Sequence, residues 1–200
     1  MENMTQIVLA STSPYRRELL AKLSLPFSQL DPEYAEQTID ADQPRDKAIR
    51  LARGKAKAGQ EKLGTSQPAI IIGSDQVAEC QGRVLSKPGS FIRAKEQLLF
   101  SAGEWVTFNT GVALVDQDGN ELDSFVDSYS LKFRRLSETA IEHYLNLEEP
   151  YDCAGSIKAE SHGVLLFEQS RGADINTLYG LPLIRLTSSF IELNLLPSFK

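Results

Sequence analysis

The stretch AIIIGSDQVAE, residues 69–79, decides how this chain is read. Three consecutive isoleucines, 70 to 72, indicate a strand buried on both faces. The run breaks at Ser74, Asp75 and Gln76 and resumes at Val77, so a carboxylate stands at the mouth of an apolar strand. Asp75 has two readings at this point. A turn aspartate hydrogen-bonds its own backbone; a functional carboxylate at the end of a buried strand occupies the place where open α/β sheets carry their sites.

The segments around this strand alternate in type. Upstream, QIVLA (6–10) predicts an opening strand, STSP a loop, and YRRELLAKL a helix with Ser13 as N-cap and Pro14 at its first position. PRDKAIRLARGKAKAGQEKL (44–63) predicts a second helix with a modest apolar stripe in a basic surface. Downstream, GRVLSKP predicts a short returning strand, SFIRAKEQLLFSA a helix, and EWVTFNTGVALVD and ELDSFVDSYSLKF two strands joined by a hairpin at DQDGN. A helix over SETAIEHYLNLEEP, a loop over YDCAGSIKAESHG, a strand at VLLFEQ, a loop over SRGADINTLYGLP and a helix from Leu183 to Leu195 complete the chain. Interleaved strands and helices with one hairpin imply an α/β fold with a mixed sheet. No repeat or linker divides the 200 residues, which are read as a single unit.

Composition limits the function. A net charge of −6 argues against a protein that coats nucleic acid, because neutralising phosphates needs a basic face. No apolar run approaches the ~20 residues of a bilayer span. MENMT, before the first apolar segment, has neither a basic nor a hydrophobic signal region, and Cys80 and Cys153 lack metal spacing and are too few for a disulfide framework. A cytoplasmic location with reduced thiols is expected.

An anionic ligand must therefore be small and met by a local group of cations. LASTSPYRR places hydroxyls and two arginines where a strand passes into a helix, a favourable place for a phosphate. The alternative is that Ser11, Thr12 and Ser13 only cap the helix while Arg16 and Arg17 face solvent. Lys55 and Lys87 add cations, Lys87 from a Pro-Gly bend; Lys57 and Lys62 read as a solvated helix face. His143 and His162, without cysteine or carboxylate at ligand spacing, read as structural or surface residues, and Cys153 as a small packing residue.

IVLASTSPYRRELL, PEYAEQ, LARGKA, IIGSDQV, SKP, EEPYDCAGS and NTLYGLPL stand together in an order and spacing that resemble the Maf family of nucleoside triphosphate pyrophosphatases, over nearly the whole chain. SDQV and CAGS followed by a glutamate are most similar to the branch that hydrolyses 7-methyl-GTP. The resemblance implies two lobes around a cleft, a divalent metal (Mg²⁺ or Mn²⁺), and cleavage between the α- and β-phosphates to a monophosphate and diphosphate. It implies Asp75 as proton acceptor for water and metal ligand, with Glu36 as the metal's other acid. Ser11, Arg16, Lys55 and Lys87 are implied as phosphate-binding, and Tyr15, Gln76 and Glu160 as substrate-selecting; Arg17 belongs to the motif but is weighted less. Ser161 stands where that branch has glycine, so the turn after Glu160 is expected to be shaped differently. The expected partner is a nucleotide, with neither nucleic acid nor membrane, and a homodimer is left open. Rival readings are a dTTP/UTP or other modified-nucleotide pyrophosphatase, a nucleotide-binding regulator of septum formation, and a nucleic-acid-binding protein.

Overall fold

The computed structural model describes residues 5–35, 43–64 and 66–197. Its first strand, β1 (Gln6–Ala10), leads into α1 (Pro14–Ala21), where the Ser13 hydroxyl accepts the Arg16 N–H and Pro14 presets the first-turn φ. β2 (Phe27–Leu30) pairs parallel to β1 at the sheet edge. Its sequence, FSQL, lacks apolar alternation and does not announce a strand. α2 (Pro44–Leu63) occupies the range expected of it and ends at Gly64 in the left-handed region.

The central strand overturns one expectation. β3 (Ala69–Cys80) does not stop at Ser74 but continues for twelve residues, with Asp75 in mid-strand and only 8% exposed. Its pairing gives the reason. β5 (Trp105–Asp116) runs antiparallel along one edge from Ile70 to Cys80 and holds the polar residues extended whatever their own preference. On the other edge, β1 pairs only as far as Gly73, and β4 (Arg83–Leu85) begins at Ala78. The break in the apolar run thus marks the end of a partner, not the end of a strand.

After α3 (Phe91–Ser101), β5 and β6 (Glu121–Phe133) form the expected hairpin, and α4 (Glu138–Glu148) follows. Residues His162–Leu166 form a 3₁₀ segment, and the last strand, β7 (Phe167–Arg171), starts later and ends later than VLLFEQ suggests, because the chain first meets β6 at Phe167. α5 (Leu183–Glu192) ends short of Leu195: Asn194 turns left-handed, and the Leu195 N–H bonds back to Phe190. Among the described residues the seven strands make one mixed sheet, ordered β2-β1-β3-β5-β6-β7 with β4 beside β3.

The isoleucine run serves both faces. Ile70 and Ile72 pack with Leu19 and Leu20 of α1 and Leu186 and Phe190 of α5, whereas Ile71 packs with Ala52 and Ala56 of α2. A third core lies under α3 and α4, around Phe108, Phe133 and Tyr144. α2 rests almost directly on the sheet. A Cβ at Gly73 would stand 2.1 Å from the Ala52 carbonyl oxygen, and one at Gly111, the register partner of Asp75, 2.4 Å from that of Ala48. Only glycine permits that approach.

Candidate active site

A cleft of about 730 Å³ opens beside the middle of β3, lined also by the segments that follow β1 and β2, by α2 and β4, and by residues between 152 and 160 and from 178 to 180. Strand alternation sends Asp75 to the same face as Gly73, toward α2. Because the two glycines draw that helix onto the sheet, the Lys55 ammonium reaches Asp75 Oδ1 at 2.5 Å, with the two side chains 15% and 12% exposed. Ion pairs this sheltered are held firmly, since the alternative is an uncompensated charge away from water.

The neighbours of Asp75 point the other way and fasten a distant segment. Ser74 Oγ donates to the Gly180 carbonyl at 3.0 Å, and Gln76 Nε2 donates to Thr110 Oγ1 and to the carbonyls of Thr177 (2.8 Å) and Leu178 (3.1 Å). The Thr110 hydroxyl also donates to Thr177, whose own hydroxyl reaches Asp127 at 2.6 Å. Arg16 Nε closes the circuit to the Gly180 carbonyl at 2.9 Å. Gln76 therefore has its amide nitrogen engaged by the scaffold, and its direct effect is to hold the segment that presents Tyr179.

A third group of residues faces this framework. Tyr15 is 40% exposed, and its hydroxyl is hydrogen-bonded to Glu160; that bond, then burial, pushes the phenol up to about 12. Burial and the charge of Glu160 also raise Tyr179. The Cys153 thiol is pushed up to about 12, chiefly by burial and then by Asp152, which suits packing rather than nucleophilic attack.

Ser11, Tyr15, Arg16, Lys55, Asp75, Gln76, Lys87 and Glu160 thus line one cleft. Glu36 lies outside the described residues. Arg17 does not line that cleft but a smaller neighbouring depression, with Thr12 and Glu18. Lys57 is exposed, and Lys62 pairs with Glu33 on the surface. His143 is exposed, and His162 contacts Glu148. Sequence reasoning missed Lys47, Asp31, Asp152 and Tyr179, all of which line the cleft. Lys47 had a usable signal: with Leu51 and Lys55 it repeats at four-residue intervals and shares a helix face. Tyr179 stands in the NTLYGLPL motif, but only tertiary contacts carry its segment into the cleft near Glu160.

A mixed sheet whose central strand presents an acid among Arg16, Lys47, Lys55 and Lys87, beside an aromatic and acidic corner, defines an α/β protein with a cleft suited to a polyphosphate carrying a flat ring. The Maf family profile, described as "Maf-like protein", matches residues 6–193, and the chain belongs to that family. Among its relatives, the 7-methyl-GTP pyrophosphatase of Pseudomonas syringae pv. tomato is 47% identical over 190 residues, covering 94% of this chain and 97% of that one. The 7-methyl-GTP pyrophosphatase of Alkalilimnicola ehrlichii is 46% identical over 186 residues, covering 93% and 92%. A solved structure, that of the Staphylococcus aureus Ham1 protein, aligns with a TM-score of 0.51 over 95% of this chain and 100% of that one; at 14% identity this is a likeness of fold alone.

Proposed function

We propose that the chain is a nucleoside triphosphate pyrophosphatase that hydrolyses 7-methyl-GTP to 7-methyl-GMP and diphosphate, acting as one Maf-type unit in the cytoplasm and clearing a modified nucleotide. The observation that carries this reading is the contact of Tyr15 with Glu160 at the edge of a cation-lined cleft. The relatives named above, identical at nearly half of all positions over more than nine-tenths of the chain, support it.

Methylation at N7 gives guanine a delocalised positive charge. An aromatic face favours such a ring by about 1–2 kcal/mol in a partly desolvated site, roughly five- to thirty-fold in preference. The Glu160 carboxylate adds attraction for the same charge and can accept hydrogen bonds from the N1 and N2 donors of guanine. The triphosphate lies along Ser11, Arg16, Lys55 and Lys87, with Lys47 adding a further cation. Water attacks the α-phosphorus and gives its proton to Asp75, which Lys55 keeps oriented; the bridging α–β bond breaks, and its electrons leave with diphosphate.

Asp75 is an acid on the wall of a cleft that Asp31, Asp152 and Glu160 also line, and an oxygen donor of this kind fits a hard divalent cation completed by substrate oxygens and water. Asp75 would hold it together with Glu36. When bound, Mg²⁺ or Mn²⁺ would offset the charge on the phosphate oxygens.

The test is diphosphate release from 7-methyl-GTP, GTP, dTTP and UTP in the presence of Mg²⁺. kcat/KM for 7-methyl-GTP is expected to exceed that for GTP by at least ~10-fold, and Glu160→Gln to narrow the gap more than it harms turnover. A better rate with GTP, dTTP or UTP overturns the substrate, and tight binding without diphosphate release overturns the enzyme in favour of a nucleotide-binding regulator.

A further inference from the structure

Glu160 stands exposed in a short loop that is closed on itself. The backbone N–H groups of Ser161 and Gly163 both donate to the Lys158 carbonyl, at 3.2 and 3.0 Å, and a Cβ at Gly163 would lie 2.4 Å from that oxygen. Such a loop keeps its own shape, but its position over the cleft depends on what lies beneath it. Beneath it is α4, which offers Tyr144 and Glu148 one turn apart.

Both residues grip the loop, on either side of Glu160. Tyr144 Oη accepts the Lys158 N–H at 2.9 Å, and the Lys158 ammonium donates to the Glu148 carbonyl at 2.7 Å. Glu148 Oε1 accepts the Ser161 hydroxyl at 2.5 Å, the His162 N–H at 2.9 Å, and the His162 ring through Nδ1. The Glu148 side chain is only 7% exposed and does not line the cleft. Burial alone would push its carboxyl up; the bonds from Ser161 and His162 outweigh burial and bring it down to about 2. Glu148 is therefore an ionised, sheltered anchor with three donors converging on one oxygen, all from Ser161 and His162, the two residues that directly follow Glu160.

We propose that Glu148 is a positioning residue for base selection: it seats the Lys158–Gly163 loop on α4 and so holds Glu160 against Tyr15. The inference rests on the assignment of Tyr15 and Glu160 to the methylated base. It also gives Ser161 a use that glycine could not fill, because its hydroxyl is one of the donors to the anchor.

The test compares kcat and KM for 7-methyl-GTP and GTP in the unmodified protein, Glu160→Gln, Glu148→Gln, the double variant and Ser161→Ala, with thermal denaturation of each. Glu148→Gln is expected to lower the 7-methyl-GTP to GTP preference by at least ~5-fold, mainly through KM, while kcat for GTP stays within ~2-fold. Added to Glu160→Gln, it should lower the preference no further, because it acts through a carboxylate already lost. Ser161→Ala, the milder lesion, should narrow the preference by at least ~2-fold and decides the matter if Glu148→Gln fails to fold. No preference in the unmodified protein overturns the assignment on which the inference rests. A preference that Glu160→Gln narrows but Glu148→Gln and Ser161→Ala leave intact overturns the positioning role alone, as does a Glu148→Gln effect undiminished in the double variant.

Discussion

Asp75→Asn separates chemistry from folding, and the geometry sets both magnitudes. The substitution keeps the side chain's shape but removes one charge of the ion pair with Lys55, 2.5 Å long and mostly sheltered from water, so that the ammonium faces a neutral amide. Taking one charge out of a sheltered pair costs about 3–5 kcal/mol, and the ammonium–amide bond that remains offsets part of this, so stability should fall by about 2–4 kcal/mol. For a chain of this length that lowers Tm by roughly 4–16 °C. Native proteins are stable by about 5–15 kcal/mol, so the variant remains folded at assay temperature. Turnover should nevertheless fall by at least ~100-fold, about 2.7 kcal/mol of barrier, because the proton acceptor for water is gone. Nucleotide affinity should persist, since Arg16, Lys47, Lys55 and Lys87 are untouched. Diphosphate release, nucleotide titration by calorimetry and a thermal melt on one preparation give all three numbers. Near-normal turnover in a folded Asp75→Asn protein would return Asp75 to a structural role and remove the mechanism proposed above.

Three further outcomes are expected. Lys87→Ala should lower kcat/KM by roughly 10- to 100-fold, the worth of a charge-assisted bond to phosphate, whereas Lys57→Ala, exposed on α2 outside the cleft, should stay within ~2-fold; equal effects would mean the cationic group has been misplaced. Gly73→Ala puts a methyl 2.1 Å from the Ala52 oxygen and must lift α2 from the sheet; it should cost about 1–3 kcal/mol and reduce kcat by drawing Lys55 from Asp75, and an unchanged melting temperature would refute the close approach. The Glu148 carboxyl falls from an ordinary 4.5 to about 2 on folding, so its contribution is complete above pH 4.5 and lost as pH drops toward 2. Urea titrations should accordingly show the stability difference between the unmodified protein and Glu148→Gln, at most about 3 kcal/mol, shrinking over that window; a difference independent of pH would refute the ionised anchor.

Most of the architecture was legible in the chain because its signals are local. The Ser-Pro start of α1, the apolar stripe of α2, and the Asp-Gly turn between β5 and β6 each act within a few residues of one another, so they can be read in order. The family motifs likewise named Asp75, Lys55, Lys87 and Tyr15 before any contact was known. What could not be read depended on partners distant in sequence. β2 is a strand only because β1 offers an edge, and β3 continues through Ser74 and Asp75 only because β5, more than thirty residues away, pairs along its whole length. The place of Asp75 in mid-strand, its bond to Lys55 through the glycine contact, the meeting of Tyr15 with Glu160, and the anchoring of the Glu160 loop on Glu148 belong to the tertiary structure. Local propensity states what a segment can become, but long-range pairing and packing supply the free energy that decides where a carboxylate finally stands.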